Sequence, residues 1–197
     1  MTSGLQTRAV GSEAPPASHG SLSHYVLYVI LCISSEHAEG VLTMSIRAAE
    51  NVLAQHWNGQ LPVDPEAIAK GLGVRLCPEF EMEASGEFRF GDDGTPEICY
   101  RIGEAPVRSR FTIAHEIGHF VLDHGPRFRD GVENFNMATR NWRERAANTF
   151  AANLLMPKAA VDAAVEKLGI TDIVRLARAF DVSQVAMKYR LQNLGWL

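Results

Sequence analysis

The chain has 197 residues, enough for one domain with a hydrophobic core and a small appendage. Its net charge of −4 provides no overall basic field that would draw it to nucleic acid or to a membrane surface. The cysteines Cys32, Cys77 and Cys99 are far apart and lack C-x-x-C spacing, which argues against a disulfide framework or a cysteine zinc module. We therefore expect a globular cytoplasmic protein with reduced thiols.

Residues 1–43 differ in kind from the rest of the chain. The segment "MTSGLQTRAVGSEAPPASHGS" is rich in Ser, Gly, Ala and Pro, a composition that predicts disorder. The apolar run at residues 25–33 is shorter than the roughly 20 residues that span a bilayer, and the segment after it is a poor signal-peptidase site. We interpret this region as a disordered or mis-annotated extension ahead of a true start at Met44, with a secretion or anchor signal as the alternative.

Regular elements are predicted after this extension. Apolar residues at helical spacing predict a helix over residues 45–57, and Asp64 followed by Pro65 predicts the start of a second, short helix. The segments "VRLCPEF", "GEFRF" and "EICYRI", with a turn at "GDDGTP", have the composition of short strands. They predict a small antiparallel sheet over residues 74–102.

Two longer helices are predicted next. The first begins at a cap, Ser109, and runs to about Asp123, where a Gly-Pro pair stops it. The second runs from about Asn141 to Met156 and ends before a proline. An irregular connection over residues 126–139 joins them.

The first of these helices carries the pattern H-E-x-x-H. His115 and His119 are four positions apart, so they lie on one helical face and can bind one metal ion. Glu116 lies beside that face, where it can accept a proton from an attacking water. The alternative is an ordinary amphipathic helix that carries histidines. Gly118 favours the metal site, because a glycine in a helix interior costs about 1 kcal/mol relative to alanine and implies a close approach.

A zinc site of this type needs a third protein ligand. His124 follows His115 by nine residues, about 900 degrees of continued helix, which predicts a surface histidine on the far side. Glu144 of the second helix lies on a face of small residues that allows close packing, and we expect it to be the third ligand. Asn148, one turn later, is expected to accept a hydrogen bond from a ligand histidine. The alternative is that Glu144 only pairs with a neighbouring arginine on a wet face.

Residues 158–197 predict three short helices, with Thr171 and Ser183 as caps. The short turn "DVS" joins the last two, as in a helix-turn-helix. The last helix carries side chains able to contact nucleic acid or a partner protein, namely Gln184, Lys188 and Arg190. Because few basic residues are available, we favour a structural or repressor-docking role over direct DNA binding.

Two quoted blocks carry a family resemblance. "RFTIAHEIGHF", followed some twenty-five residues later by "ERAANTFAANLLMP", resembles the paired motifs of the ImmA/IrrE metallopeptidases. The resemblance covers roughly residues 44–197 and agrees with Glu144 as third ligand. It implies an α+β fold with a gluzincin-like core over residues 44–157 and a helix-turn-helix-like subdomain of the same domain over residues 158–197.

The resemblance also implies a function. Such a chain is expected to be a zinc-dependent endopeptidase that cuts an Xre-type repressor and thereby derepresses stress or mobile-element genes, with no membrane involvement. Manganese or iron also suits two histidines and a glutamate. A non-catalytic, metal-stabilised regulator or antitoxin-like module, binding DNA through its C-terminal helices, stays open. Candidates for stabilising the oxyanion are Tyr100, His124 and Arg140, with no observation that favours one of them.

Overall fold

The structure, a computed structural model, describes residues 40–124 and 137–197, and for residues 137–141 the backbone alone. Within these ranges the chain has an α+β fold with seven α-helices, one π-helical turn and a three-stranded sheet. The elements are α1 (residues 40–56), α2 (Pro65–Gly71), β1 (Arg75–Glu79), β2 (Gly86–Phe90), β3 (Pro96–Arg101), α3 (Pro106–Val121), α4 (Met137–Leu155), α5 (Lys158–Asp162), the π-helical turn (Ala163–Lys167), α6 (Ile173–Phe180) and α7 (Gln184–Leu194).

Most of the predicted N-terminal extension, including the apolar run at residues 25–33, lies outside the described residues. The predicted boundary at residue 43 is wrong, because residues 40–43 already belong to α1. Among the described residues, no helix combines the length and the apolar character needed to cross a membrane.

Helix α1 packs on the core through the face that its sequence predicts, with one exception. Ala49, Val52 and Leu53 are buried, whereas Ile46, which lies at the same helical spacing, is exposed. The adjacent Ser45 is buried instead. Its hydroxyl donates to the Val41 carbonyl of the preceding turn, which satisfies this polar group in the buried position.

The sheet is mixed, which corrects the expectation of an antiparallel sheet. Strand β3 lies in the centre of the order β1-β3-β2, parallel to β1 and antiparallel to β2. The predicted turn closes the β2–β3 hairpin, where the Gly91 N–H donates to the Thr95 carbonyl at 2.8 Å. Because β2 occupies one side of β3, β1 pairs with the other side, and residues 80–85 connect it to β2.

Both long helices begin earlier than predicted. Helix α3 begins at Pro106 rather than being capped by Ser109, because proline fits the first helical position, where no N–H is needed. Helix α4 begins by Met137 rather than Asn141, which shortens the predicted irregular connection. The remainder of that connection, residues 126–136, lies outside the described residues.

Helix α3 is the centre of the fold. It packs against α4, and also against β2, β3 and α2. On the sheet side, the ring of Phe120 lies 5.5 Å from that of Phe88, centroid to centroid. Ile113 and Ile117 of α3 and Phe150 of α4 are fully buried, and each such side chain contributes about 1.5–3 kcal/mol to folding.

The C-terminal helices are joined to this core by buried polar contacts. Ser183 caps α7 as predicted, whereas α6 is capped by Asp172 and not by Thr171. Arg110 of α3 donates to the Asp181 carbonyl at 3.2 Å, in the turn between α6 and α7. These contacts fix the two helices against α3. Whether they form a DNA-binding helix-turn-helix stays a prediction.

Candidate metal centre

Close contact between α3 and α4 brings the candidate site together. A Cβ atom added to Gly118 would lie 3.2 Å from the Ala147 Cα, 3.2 Å from the Phe150 Cδ1 and 3.3 Å from the Ala147 carbonyl oxygen. Two of these three atoms are backbone, which cannot rotate away. The glycine in the middle of H-E-x-x-H therefore serves helix packing, since it lets α4 approach the histidines.

Three side chains meet at this contact. The Nε2 atoms of His115 and His119 are 3.0 Å apart. The Glu144 carboxylate lies 3.3 Å from the His115 Nε2 through Oε2, and 3.7 Å from the His119 Nε2 through Oε1. One ligand atom from each residue lies within 4.8 Å of the other two, so the group can hold a metal ion.

The electrostatics of this group suit a cation. Hydrogen bonds from His115 and His119 hold the pKa of the Glu144 carboxyl well below its usual range, so this group is anionic at neutral pH. Two imidazoles and one carboxylate are a donor set that zinc takes in catalytic sites, with a fourth position left for water or substrate. Manganese and iron accept the same donors.

Asn148 lies behind the first histidine. Its Oδ1 is 2.9 Å from the His115 Nδ1, the nitrogen that faces away from Glu144. An amide oxygen is an acceptor, so His115 then carries its proton on Nδ1 and offers the lone pair of Nε2 to a metal. The role of Asn148 in orienting a metal-bound histidine stays a prediction.

His124 is not the surface histidine that was expected. It is buried, and its Nδ1 lies 3.0 Å from the His119 Nδ1. The rotation argument assumed a continuing helix, but α3 ends at Val121, and Asp123 takes a left-handed conformation with a φ of 52°. The chain turns back, and the His124 N–H donates to the His119 carbonyl at 3.0 Å. The three-residue ligand group does not include it.

Burial lowers the pKa of His124 to about 4, so its ring is neutral at physiological pH. A neutral imidazole can accept a hydrogen bond at Nδ1, and His119 can then donate from its own Nδ1 while keeping Nε2 free. Trp142 of α4 covers the other side, with its ring 5.3 Å from that of His124. The contact between His119 and His124 was not predicted from the sequence. No pattern in the sequence indicates that Asp123 adopts the left-handed conformation that turns the chain back.

Glu116 is buried beside the first strand of the hairpin. A Cβ added to Gly86, the first residue of β2, would lie 3.3 Å from the Glu116 Oε1 and would collide with Thr112. The edge strand of the sheet therefore begins directly against the carboxylate. Only a residue without a side chain fits here without displacing Glu116.

A cavity of about 430 Å³ adjoins the site on the side of the C-terminal helices. Asn148 and Phe111 line it from α4 and α3, and Val185 and Tyr189 line it from α7. Because Val185 and Tyr189 are exposed at its rim, the cavity offers apolar surface next to the candidate metal ligands.

The predicted contact residues of α7 do not share one surface. Gln184 and Lys188 are exposed. Arg190 is buried, which corrects the expectation that it contacts nucleic acid or a partner. Its Nε donates to the Met156 carbonyl at 3.0 Å, and its Nη2 donates to the Asn153 Oδ1 at 2.9 Å. The guanidinium thus joins α7 to the end of α4.

Among the candidate oxyanion-stabilising residues, Tyr100 packs against the hydrophobic core from the centre strand of the sheet. Burial raises the pKa of its phenol, which therefore stays protonated at neutral pH. The side chain of Arg140 lies outside the described residues. The group that stabilises an oxyanion remains unassigned.

Comparisons with known proteins agree with this geometry. The model of the Peptidase_M78 family, described as the IrrE N-terminal-like domain, matches residues 69–192. Among solved structures, a chain described as a Mycobacterium tuberculosis transcriptional regulator matches with a TM-score of 0.53 and 20% identity, over 76% of this chain and 46% of that one. The present chain thus spans less than half of that neighbour, and the likeness concerns the fold. No curated protein sequence matches.

Proposed function

The chain belongs to the ImmA/IrrE family, that of the IrrE N-terminal-like peptidase domain, and from this premise we propose that it is a zinc-dependent endopeptidase that performs regulatory proteolysis. The observation that carries the proposal is the meeting of His115, His119 and Glu144, whose ligand atoms lie within 4.8 Å of one another. Glu116 follows the first of them in sequence and is buried against the start of β2.

Each residue has a chemical role in this proposal. A zinc ion held by His115, His119 and Glu144 supplies Lewis-acid chemistry, which lowers the pKa of water and polarises a carbonyl group. Glu116 accepts a proton as the oxygen of the attacking water bonds to the carbonyl carbon. The same proton passes to the amide nitrogen when the C–N bond breaks, which regenerates the Glu116 carboxylate.

Two neighbouring groups keep the histidines ready for this role. When the two histidines bind a metal through Nε2, Asn148 accepts from the Nδ1 of His115, and His124 accepts from the Nδ1 of His119. Each contact then stabilises the tautomer in which Nε2 has a free lone pair. The apolar cavity lined by Phe111 and Tyr189 is suited to an apolar segment of a polypeptide substrate.

The proposed substrate is a helix-turn-helix repressor of the Xre type, and its cleavage would derepress stress or mobile-element genes. The support is the resemblance to the ImmA/IrrE family, together with a structural neighbour that is described as a transcriptional regulator. A cytoplasmic location follows from such a substrate.

Cleavage of a purified candidate repressor by the wild type and by Glu116→Gln tests the proposal, and a helix-turn-helix repressor found in a neighbouring gene would be the first choice. We expect the wild type to give two fragments whose masses sum to that of the repressor plus one water. Glu116→Gln should bind zinc like the wild type and cut at least about a hundredfold more slowly, since it cannot accept a proton. Glu166→Gln, an exposed change on the π-helical turn, is the matched control and should cut normally.

Two outcomes would count against the proposal. If Glu116→Gln cuts as fast as the wild type, the assigned mechanism is wrong. If Glu116→Gln still regulates a reporter in cells while His115→Ala does not, the chain acts as a metal-stabilised regulator without catalysis.

A further inference from the structure

A second cluster of metal-binding side chains lies on the sheet, apart from the candidate metal centre. Cys77 of β1 is the register partner of Cys99 in β3, and Glu97 lies two residues before Cys99 on the same face. One ligand atom from each of these residues lies within 4.8 Å of the other two.

This cluster faces away from α3. Side chains alternate along a strand, so Ile98 points to the opposite face from Glu97 and Cys99. Ile98 pairs with Phe88, whose ring packs on Phe120 of α3. The two cysteines and the glutamate therefore lie on the other face of the sheet and share no residue with the group formed by α3 and α4.

Ion pairs hold the carboxylate of the cluster in place. Arg75 Nη1 donates to the Glu97 Oε1 at 2.7 Å, and Arg89 Nε donates to Oε2 at 3.3 Å. Each carboxylate oxygen has a second lone pair, so it can accept from an arginine and also bind a cation. Metal-binding carboxylates are usually held by hydrogen bonds of this kind.

We propose that Cys77, Cys99 and Glu97 form a second metal site, which binds a thiophilic divalent cation such as zinc. Two sulfur donors exclude magnesium and calcium as preferred ions and favour zinc, cadmium or cobalt. Donors on one tetrahedral zinc lie about 3.5–3.8 Å apart. Because the three ligand atoms already lie within 4.8 Å of one another, small side-chain rotations complete the site.

Charge balance supports a divalent ion despite the two nearby arginines. Binding breaks two S–H bonds, forms two bonds from sulfur to the metal, and releases two protons to solvent without oxidation or reduction. One divalent cation thus replaces two protons, and the local net charge does not change. The pairs that Arg75 makes with Asp93, and Arg89 with Glu79, need not be broken.

Both thiols are free, and they differ in burial. A bound cation deprotonates a coordinating thiol outright. Cys77 is only half-buried, which leaves a route by which an ion can enter.

Cobalt(II) titration of the reduced chain tests the proposal, because thiolate ligands produce a near-ultraviolet charge-transfer band. His115, His119 and Glu144 contain no sulfur, so cobalt in the candidate catalytic centre cannot produce this band. We expect the wild type to show it, and zinc to erase it by displacement. The measurement requires no cleavage of a substrate. This proposal can therefore fail while the peptidase proposal holds, and the peptidase proposal can fail while this one holds.

Three variants complete the test. Cys77→Ser should lose the band, and Cys99→Ala provides a second loss should the first variant fold poorly. Glu97→Gln should weaken cobalt binding by at least about tenfold. Cys32→Ser, which changes the third cysteine of the sequence, is the matched control and should keep the band.

Three results would overturn the proposed site: no band in the wild type, a band that survives Cys77→Ser, or a band that is lost in Cys32→Ser. The proposal would also be wrong if the reduced protein binds no cobalt through sulfur but forms a Cys77–Cys99 disulfide with oxidised glutathione.

Discussion

His124 lies directly behind His119, with 3.0 Å between their Nδ1 atoms, in the buried turn that ends α3. Only one of the two nitrogens can carry the proton. If His119 binds a metal through Nε2, its proton must be on Nδ1, and His124 is then the acceptor. This relationship gives His124 a positioning role although it is not among the ligands.

Replacing His124 tests that role. His124→Phe removes the acceptor but keeps a buried ring, so zinc affinity should fall about 10- to 100-fold, as for other groups that orient a metal ligand. His124→Gln restores an acceptor and should recover part of the affinity. Competition with a chromophoric zinc chelator measures both, alongside thermal unfolding of the metal-free proteins. Equal affinities of His124→Phe and the wild type would show that His119 needs no such support.

Zinc should also stabilise the fold, because its ligands come from two different helices. His115 and His119 belong to α3, and Glu144 belongs to α4. Zinc at about a thousand times its dissociation constant should raise the free energy of unfolding by about 4 kcal/mol. A chelator should remove this increment, and Glu144→Ala should lose most of it while Glu166→Ala keeps it. Thermal denaturation with and without zinc measures the increment, with every protein carrying Cys77→Ser so that the second proposed site cannot contribute. In that background, an undiminished increment in Glu144→Ala would mean that another residue is the third ligand.

Several features set by neighbouring residues in the sequence were predicted well, although the predicted caps Ser109 and Thr171 were wrong. The Asp64 Oδ1 accepts from two N–H groups at the start of α2, and Ser183 caps α7 in the same manner. Strand β2 and its hairpin turn lie where the alternating residues and the glycines indicate. In each case, residues within a few positions determine the conformation, so no tertiary information is needed.

Features set by distant contacts were not predictable in the same way. Strand β2 occupies one edge of β3 in the hairpin, and β1 pairs in parallel with the other edge, which is a contact between segments distant in the sequence. The position of His124 depends on one left-handed residue, Asp123, and that of the Arg190 guanidinium on acceptors more than thirty residues away. The meeting of Glu144 with the histidines was expected from small residues on one helix face, because close packing is itself a pattern in sequence.

Gly118 tests how tightly that packing is set. Gly118→Ala gains about 1 kcal/mol of helix propensity, but it places a Cβ against the Ala147 backbone, and overpacking of this kind costs about 1–3 kcal/mol. Gly40, at the start of α1, has no heavy atom within 4 Å of an added Cβ, so Gly40→Ala is the matched control. We expect Gly118→Ala to be at least about 1 kcal/mol less stable than Gly40→Ala by urea denaturation. Zinc affinity should fall in Gly118→Ala alone, because α3 and α4 are pushed apart. If the two variants are equally stable, α4 does not lie this close to the H-E-x-x-H helix.

Substitutions at Arg190 and Lys188 distinguish a structural role of α7 from a role in binding nucleic acid. Arg190→Met leaves the buried oxygens of Met156 and Asn153 without the guanidinium, and each lost partner costs about 1–3 kcal/mol. The free energy of unfolding should therefore fall by about 2–6 kcal/mol. Lys188→Met, on the exposed side of the same helix, should change stability by no more than about 0.5 kcal/mol. Urea denaturation of the two variants measures the difference. A gel shift with operator DNA must therefore rely on Lys188 and Gln184, since weaker binding by Arg190→Met would report partial unfolding. If Arg190→Met is as stable as the wild type yet loses specific DNA binding, its side chain is a surface contact after all.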